Sequence, residues 1–535
     1  MQQVKQTIAM NNDQSWLSSS LLTILLLPTI LVGMVGAWLV LMKGKDDDGR
    51  KPPGPRGLPI LGHLHLLGKL PHQSLCELSK QHGPLMSLRL GSVPIVVVSS
   101  PDLARHILKE QDLTFGDRRL SAVGNYIFGG ATGIVFSSAS SPYWKLLRRI
   151  SASELLSAKQ LDRFRSVRAA EARGLMRAVL ADCGATASAD WTAVASAAPP
   201  GAGQCCLRPK LLQALSDIVT KMMTGKTLTE LAGDEATRIL KLIVKVPKLL
   251  GEFNVSDYLP FLAWMDLQGC ERRSKKLAAE LREAFERIVE TRRQAGAANK
   301  VVDAHFLDAL LECEASSSST PVSIMENFLA FFVGGTDTCA ATIEWAFAEL
   351  LTNPEKMFLV QDEIERVVGR ARVVGEEDIA HLPYLIACVK ETMRLHPAVP
   401  LLMPHGTNQA CEILNFQILP NTQAYVNVWA IGRDSRVWEH PDRFLPERFL
   451  EVDPIDMQGQ HFELLPFGAG RRICPGLRLA LLTINLILAS LLQGFEWSLS
   501  PSQHIDMTEH FGAIVSMKTP LVASTIPHLS TELYK

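Results

Sequence analysis

At 535 residues, with 47% hydrophobic and 20% charged side chains, the chain has the composition of a packed protein and length enough for two or three domains. Its formal net charge of −1, with acids and bases interspersed, excludes the basic footprint of a nucleic-acid binder. The ten cysteines are scattered without a single Cys-x-x-Cys. That argues against a zinc site, an iron–sulfur cluster or a secreted disulfide framework.

The first element in chain order is Leu17–Met42, 26 residues without a charge. A bilayer core needs about 20 apolar residues, so this stretch is long enough to span even with Pro28 inside it. It is also longer than the apolar core of a cleaved signal peptide. Lys43, Lys45, Arg50 and Lys51 follow it, against Lys5 alone before it, which orients the remainder toward the cytosol. Residues 1–50 therefore read as a membrane anchor with its flanks. Residues 51–62, "KPPGPRGLPILG", are too rich in proline and glycine for a helix or a central strand and read as a semi-rigid hinge. Residues 63–535 are the body.

Two β-like runs, 85–91 and 94–100, predict a hairpin. Helical patterns then dominate, over 101–110, 143–158, 163–180, 211–224 and 270–297. The Ala/Gly/Ser/Pro-rich stretch 183–206 has no periodicity and reads as a loop insertion. A long apolar helix is predicted between Thr320 as N-cap, Pro321 in its first turn, and Asn353–Pro354 at its end. After residue 395 come short β-like pieces, a glycine-rich loop and an apolar helix over about 477–493. The expectation is a mainly α fold with a small β region.

Three places carry chemistry. In "FGAGRRICPG" (467–476), Pro475 suits the first position of a helix, which makes Cys474 its expected N-cap. A sulfur there meets free N–H groups and the positive end of the helix dipole, which favours thiolate. Glycines allow a tight turn and the approach of a flat group, and Arg472 is placed to meet a ligand carboxylate. The residues alone leave open an axial ligand to haem iron or a reactive or buried cysteine. In the long helix, Ala330, Phe331, Gly334 and Thr338 share a face. Asp337 and Thr338 could relay protons, though a kinked core helix with a satisfied threonine fits the same residues. Glu391 and Arg394 stand one helical turn apart, a pair worth under about 1 kcal/mol if exposed.

Phe467, Gly470, Arg472, Cys474 and Gly476 match the haem-binding signature of the cytochrome P-450 superfamily, which the chain resembles from about residue 50 to 535. The resemblance overrules a multi-domain reading and implies the family's mainly α, haem-enclosing fold. It implies haem b with Cys474 as the iron's axial ligand, and an oxygen-activating pair in Asp337 and Thr338 of "GGTDTC", where Cys339 replaces the usual Ser or Thr. It implies further that Trp144, Arg148, His405 and Arg472 approach the haem propionates, and that Glu391, Arg394 and Arg448 form a buried structural triad. Ala330, Phe331 and Gly334 are the substrate-side candidates.

The implied activity is that of a haem-thiolate monooxygenase inserting one oxygen atom from dioxygen into a small substrate. No flavin or NADPH-binding segment is evident, so the implied partner is a separate NADPH–cytochrome reductase in the endoplasmic reticulum membrane. The single-pass anchor would hold the catalytic body on the cytosolic face. The wording of the hinge, "DRFLPERFL" and the cysteine loop resembles the plant microsomal group, and 253–273 and the C-terminus resemble its flavonoid 3'-hydroxylase and phenylpropanoid hydroxylase branches. "DRRL" (117–120) and "SSASSPYW" depart from those relatives beside a substrate-contacting segment. Aromatic hydroxylation of a plant phenolic is the leading expectation, with in-chain fatty-acid hydroxylation as the alternative. A non-oxygenase isomerase or dehydratase of the same family would typically lack the acid–threonine pair.

Overall fold

A computed structural model of the chain describes residues 51–184, 203–297, 305–316, 323–450, 455–500 and 503–535, together with Gly33. The anchor read over Leu17–Met42, Gly33 apart, lies outside the described residues, as do Thr320 and Pro321. The hinge does not stand free of the body. Ser87 N–H donates to the Pro53 carbonyl (2.8 Å), and Gly62 bridges to Leu90, so the proline segment is laid against the first strand.

The alternating apolar runs form the expected hairpin of β1 (Leu85–Leu90) and β2 (Val93–Val98), antiparallel from Leu85↔Val98 to Leu90↔Val93. The intervening strands are β3 (Gly203–Cys206), β4 (His405–Gly406), β5 (Cys411–Ile413), β6 (Phe416–Ile418) and β7 (Gln423–Val426). Beyond them lie β8 (Phe495–Ser498), β9 (Glu509–His510), β10 (Ser516–Met517) and β11 (Val522–Pro527). The main sheet runs β1-β2-β7-β4, with β2 and β7 parallel; a second runs β3-β11-β8. The expected loop 183–206 is thereby corrected at both ends, because Cys183 and Gly184 are helical and 203–206 is a strand paired with Val522–Thr525.

Helices make the frame: α1 (Pro71–His82), α2 (Pro142–Ile150), α3 (Arg165–Gly184), α4 (Leu207–Thr224), α5 (Cys270–Ala297), α6 (Ile324–Thr352), α7 (Pro383–Leu395) and α8 (Leu477–Gly494). The patterns over 101–110 and 143–158 are interrupted by π-turns at His106–Glu110 and Ser151–Leu155. The helix α6 opens after Ser323 and closes at Asn353, and its 29 residues span about 43 Å. It is apolar nearly all round because it crosses the molecule's centre, buried against α4, α7 and α8. The helix α8 is apolar for the same reason.

The two mid-helix glycines of α6 serve different neighbours. A Cβ on Gly335 would come within 2.9 Å of Val219 Cγ2 on α4, whereas one on Gly334 would meet nothing within 4 Å. Gly335 lets α4 and α6 approach; Gly334 opens onto a cavity. The helix runs through both without a break.

Candidate active site

A cavity of about 350 Å³ lies between α6 and the loop leading into α8. One wall carries Phe467, Gly468, Arg472, Cys474 and Gly476; the other carries Ala330, Phe331, Gly334, Thr338 and Cys339. Residues far apart in sequence thus meet across one space. Of the expected site residues near the signature, Gly470 does not line it. At a φ of +66°, it shapes the turn instead, and a Cβ there would collide with the Leu108 carbonyl.

The loop is held by its own backbone: Cys474 N–H donates to the Phe467 carbonyl (2.9 Å). The N-cap of α8 is Gly476, two residues later than expected, so Cys474 and Pro475 precede the helix. Enclosure in the protein raises the Cys474 thiol above its ordinary value, while the Gly476 and Leu477 N–H groups and the Arg148 charge oppose the rise.

At one end of the cavity stand Arg118, Arg148, Arg472 and His405. Arg472 donates to the carbonyls of Gly116 (Nη2, 2.7 Å) and Ser137, and its guanidinium lies over the Trp144 ring at 4.9 Å. Arg148 donates to the Ile473 carbonyl (3.0 Å), and Trp144 Nε1 to the Ile134 carbonyl (3.2 Å). His405, in β4, is buried with Nδ1 on the Phe115 carbonyl (2.9 Å). Burial and the Arg118 and Arg472 charges lower its pKa to about 3. Arg118 is the residue that the sequence reading missed. Its Nε is buried without a partner, and burial, Arg472 and Arg148 lower its pKa to about 9. Burial likewise lowers Arg472 to about 10, partly offset by Asp117.

Three guanidiniums gathered with an orphaned donor and no carboxylate among the cavity-lining residues describe a site for an anionic group. With an apolar lining and one thiol, Cys474, on the wall opposite Thr338, these residues fit haem b: Cys474 would hold the iron, and Arg118, Arg148, Arg472 and His405 would stand about the propionates.

On the opposite wall Thr338 Oγ1 donates to the Gly334 carbonyl (2.7 Å). Asp337 does not share that wall. It is buried on the far side of α6, paired with Arg208 of α4 (2.6 Å). Burial raises its pKa against the lowering pull of Arg208. The three-residue structural set is assembled: Arg394 binds Glu391 through Nε (2.7 Å) and Nη2 (2.8 Å), and Arg448 Nε reaches Glu391 at 3.2 Å. All of it lies outside the cavity lining, as a structural role requires.

Comparison with known proteins identifies the family. The family model described as Cytochrome P450 matches residues 52–524. Cytochrome P450 76C1 of Arabidopsis thaliana is 39% identical over 88% of this chain and 91% of its own length. Trimethyltridecatetraene synthase of Zea mays is 38% identical (92% and 91%), and a flavonoid 3',5'-hydroxylase of Eustoma exaltatum subsp. russellianum 37% (91% and 93%). A zebra fish cytochrome P450 solved with abiraterone superposes with a TM-score of 0.71 over 86% of this chain and 99% of that one, at 24% identity, a likeness of fold alone. With the Cys474 thiol facing Thr338 across an arginine-ended slot, and with matches over most of its length, the chain belongs to the cytochrome P450 family of monooxygenases.

Proposed function

We propose that the protein is a membrane-anchored, haem-thiolate hydroxylase of a plant phenolic, a flavonoid or phenylpropanoid ester. The observation that carries the reading is the single cavity walled by Cys474 on one side and by Gly334 and Thr338 on the other. Bound through Cys474, haem b supplies the redox chemistry, the activation of dioxygen and transfer of one oxygen atom to the substrate. Arg118, Arg148, Arg472 and His405 would orient it by its carboxylates. Thr338, its hydrogen directed to the Gly334 carbonyl, offers its lone pairs to the cavity, and Asp337 supplies protons from behind it. Ala330, Phe331 and Gly334 form the apolar floor on which a ring could lie.

Electrons would come from NADPH through a separate reductase, and the charge-free N-terminal stretch would hold the body on the cytosolic face of the endoplasmic reticulum. Flavonoid hydroxylases among the relatives support the phenolic substrate, and a synthase of comparable identity shows that the likeness reaches further than one substrate. The test is turnover by the full chain reconstituted with reductase and NADPH. A flavonoid or phenolic ester should gain one hydroxyl and shift the Soret band on binding. Shifts and products with fatty acids only would replace the substrate class, and conversion of hydroperoxides without NADPH would replace the reaction.

A further inference from the structure

Asp337 has an unassigned companion. Glu344 lies seven residues further along α6, two turns on and so on the same face. Arg208, the second residue of α4, reaches both: Nη2 to Asp337 Oδ1 at 2.6 Å and Nη1 to Glu344 Oε2 at 2.8 Å. The other Glu344 oxygen accepts from the Leu521 N–H (2.9 Å), and the Leu207 N–H donates to the Leu521 carbonyl (3.3 Å). One short segment beside β11 therefore fixes both Glu344 and the start of α4. The Glu344 side chain has no exposure, Asp337 has 7% and Arg208 14%, so Arg208 is the least enclosed of the three side chains.

Two carboxylates share one guanidinium here, and a single proton would balance the group. The other titratable neighbours are Lys248, acting on Asp337 from the helix Lys245–Gly251, and the Cys206 thiol beside Glu344 at the end of β3. Burial raises the pKa of both carboxyls, Arg208 lowers both, and the Asp337 charge raises Glu344 further. Such a pair titrates as a unit.

We infer that Glu344 is a positioning residue for proton delivery, holding Arg208 so that Asp337 can take up a proton and leave the ion pair. This rests on the reading of Asp337 as the proton donor behind Thr338. Were Arg208 paired to Asp337 alone, protonating Asp337 would leave a largely buried guanidinium without a counter-charge, and Asp337 would stay ionised and clamped. With Glu344 present, Arg208 keeps a partner. The Asp337 O–H then forms at the expense of a charge-assisted bond to Arg208. When Asp337 gives up that proton, the carboxylate returns to the guanidinium. No electron moves in either step.

The test uses the full chain with haem and reductase, without added substrate. NADPH-driven oxygen consumption, peroxide released per NADPH and the solvent isotope effect are followed across the whole pH range in which the enzyme stays folded. Oxygen consumption should fall as pH rises through the pKa of Asp337. Removing the Glu344 charge leaves Arg208 wholly to Asp337 and lowers that pKa, so in Glu344→Gln the fall should move down by about one pH unit with a larger isotope effect. Glu344→Asp, the conservative variant, should lie close to wild type and serves if Glu344→Gln does not fold. Asp337→Asn separates the two ideas. If it flattens the profile while both Glu344 variants leave the fall where it was, the role of Glu344 is overturned alone. If Asp337→Asn leaves the profile unchanged, the reading of Asp337 falls first.

Discussion

Arg118 shows what a single side chain adds to this site. It comes from a segment about 350 residues from Cys474, yet it stands with Arg148 and Arg472 at one end of the same cavity, its Nε buried and unpaired. A guanidinium so placed gains most when an anion arrives, because a charge-assisted bond would replace repulsion between like charges. Arg118→Ala should therefore weaken haem retention by about tenfold, the equivalent of one charge-assisted hydrogen bond, read as haem bound per protein after gel filtration. Unchanged retention would remove Arg118 from the site. The sequence showed two adjacent arginines, Arg118 and Arg119, and nothing in their spacing says which turns inward. Arg119 is exposed and donates to the Asp257 carbonyl. Cys474, Phe467 and Arg472 were legible because one ten-residue loop carries them. Asp337 was legible as an acid beside Thr338, but its direction was not, since Arg208 belongs to another helix.

At the scale of the element, α6 decides the geometry. Its glycines look alike in sequence and differ in surroundings, which yields a paired expectation. Gly335→Ala should destabilise the protein by about 1–3 kcal/mol, because Val219 is a stiff β-branched neighbour on a packed helix. Gly334→Ala meets no atom and should stabilise by up to about 1 kcal/mol through helix propensity. Thermal unfolding of the two variants checks this, and equal effects would contradict the assignment of one glycine to packing and the other to the cavity. The strands were legible where alternation was strong, as in β1 and β2. The strand β3 was missed because "GQCC" carries no alternating pattern and becomes a strand only by pairing with β11, over 300 residues away.

In the whole molecule, the site is the seam where distant elements close. The helix α6 gives one wall, the loop before α8 the other, and β4 and the chain around Arg118 one end. The Glu391–Arg394 pair, with no side-chain exposure, binds the segment around Leu445 and Arg448 to α7. Such a buried pair holds shape, because breaking it leaves an uncompensated charge. The fold class followed from the helical periodicity of most of the chain. The closing of walls from residues 118, 338 and 474 did not, since no local pattern records contacts at that separation.

We propose Cys474 as the sulfur ligand of a haem held in this cavity. The most direct test is the carbon-monoxide difference spectrum of the reduced, haem-loaded full chain, beside that of Cys474→His. The wild-type Soret band should lie well to the red of the band of the histidine variant, the signature of thiolate ligation. A wild-type band coinciding with that of the histidine variant, in folded protein of full haem content, would contradict thiolate ligation and the monooxygenase mechanism built on it.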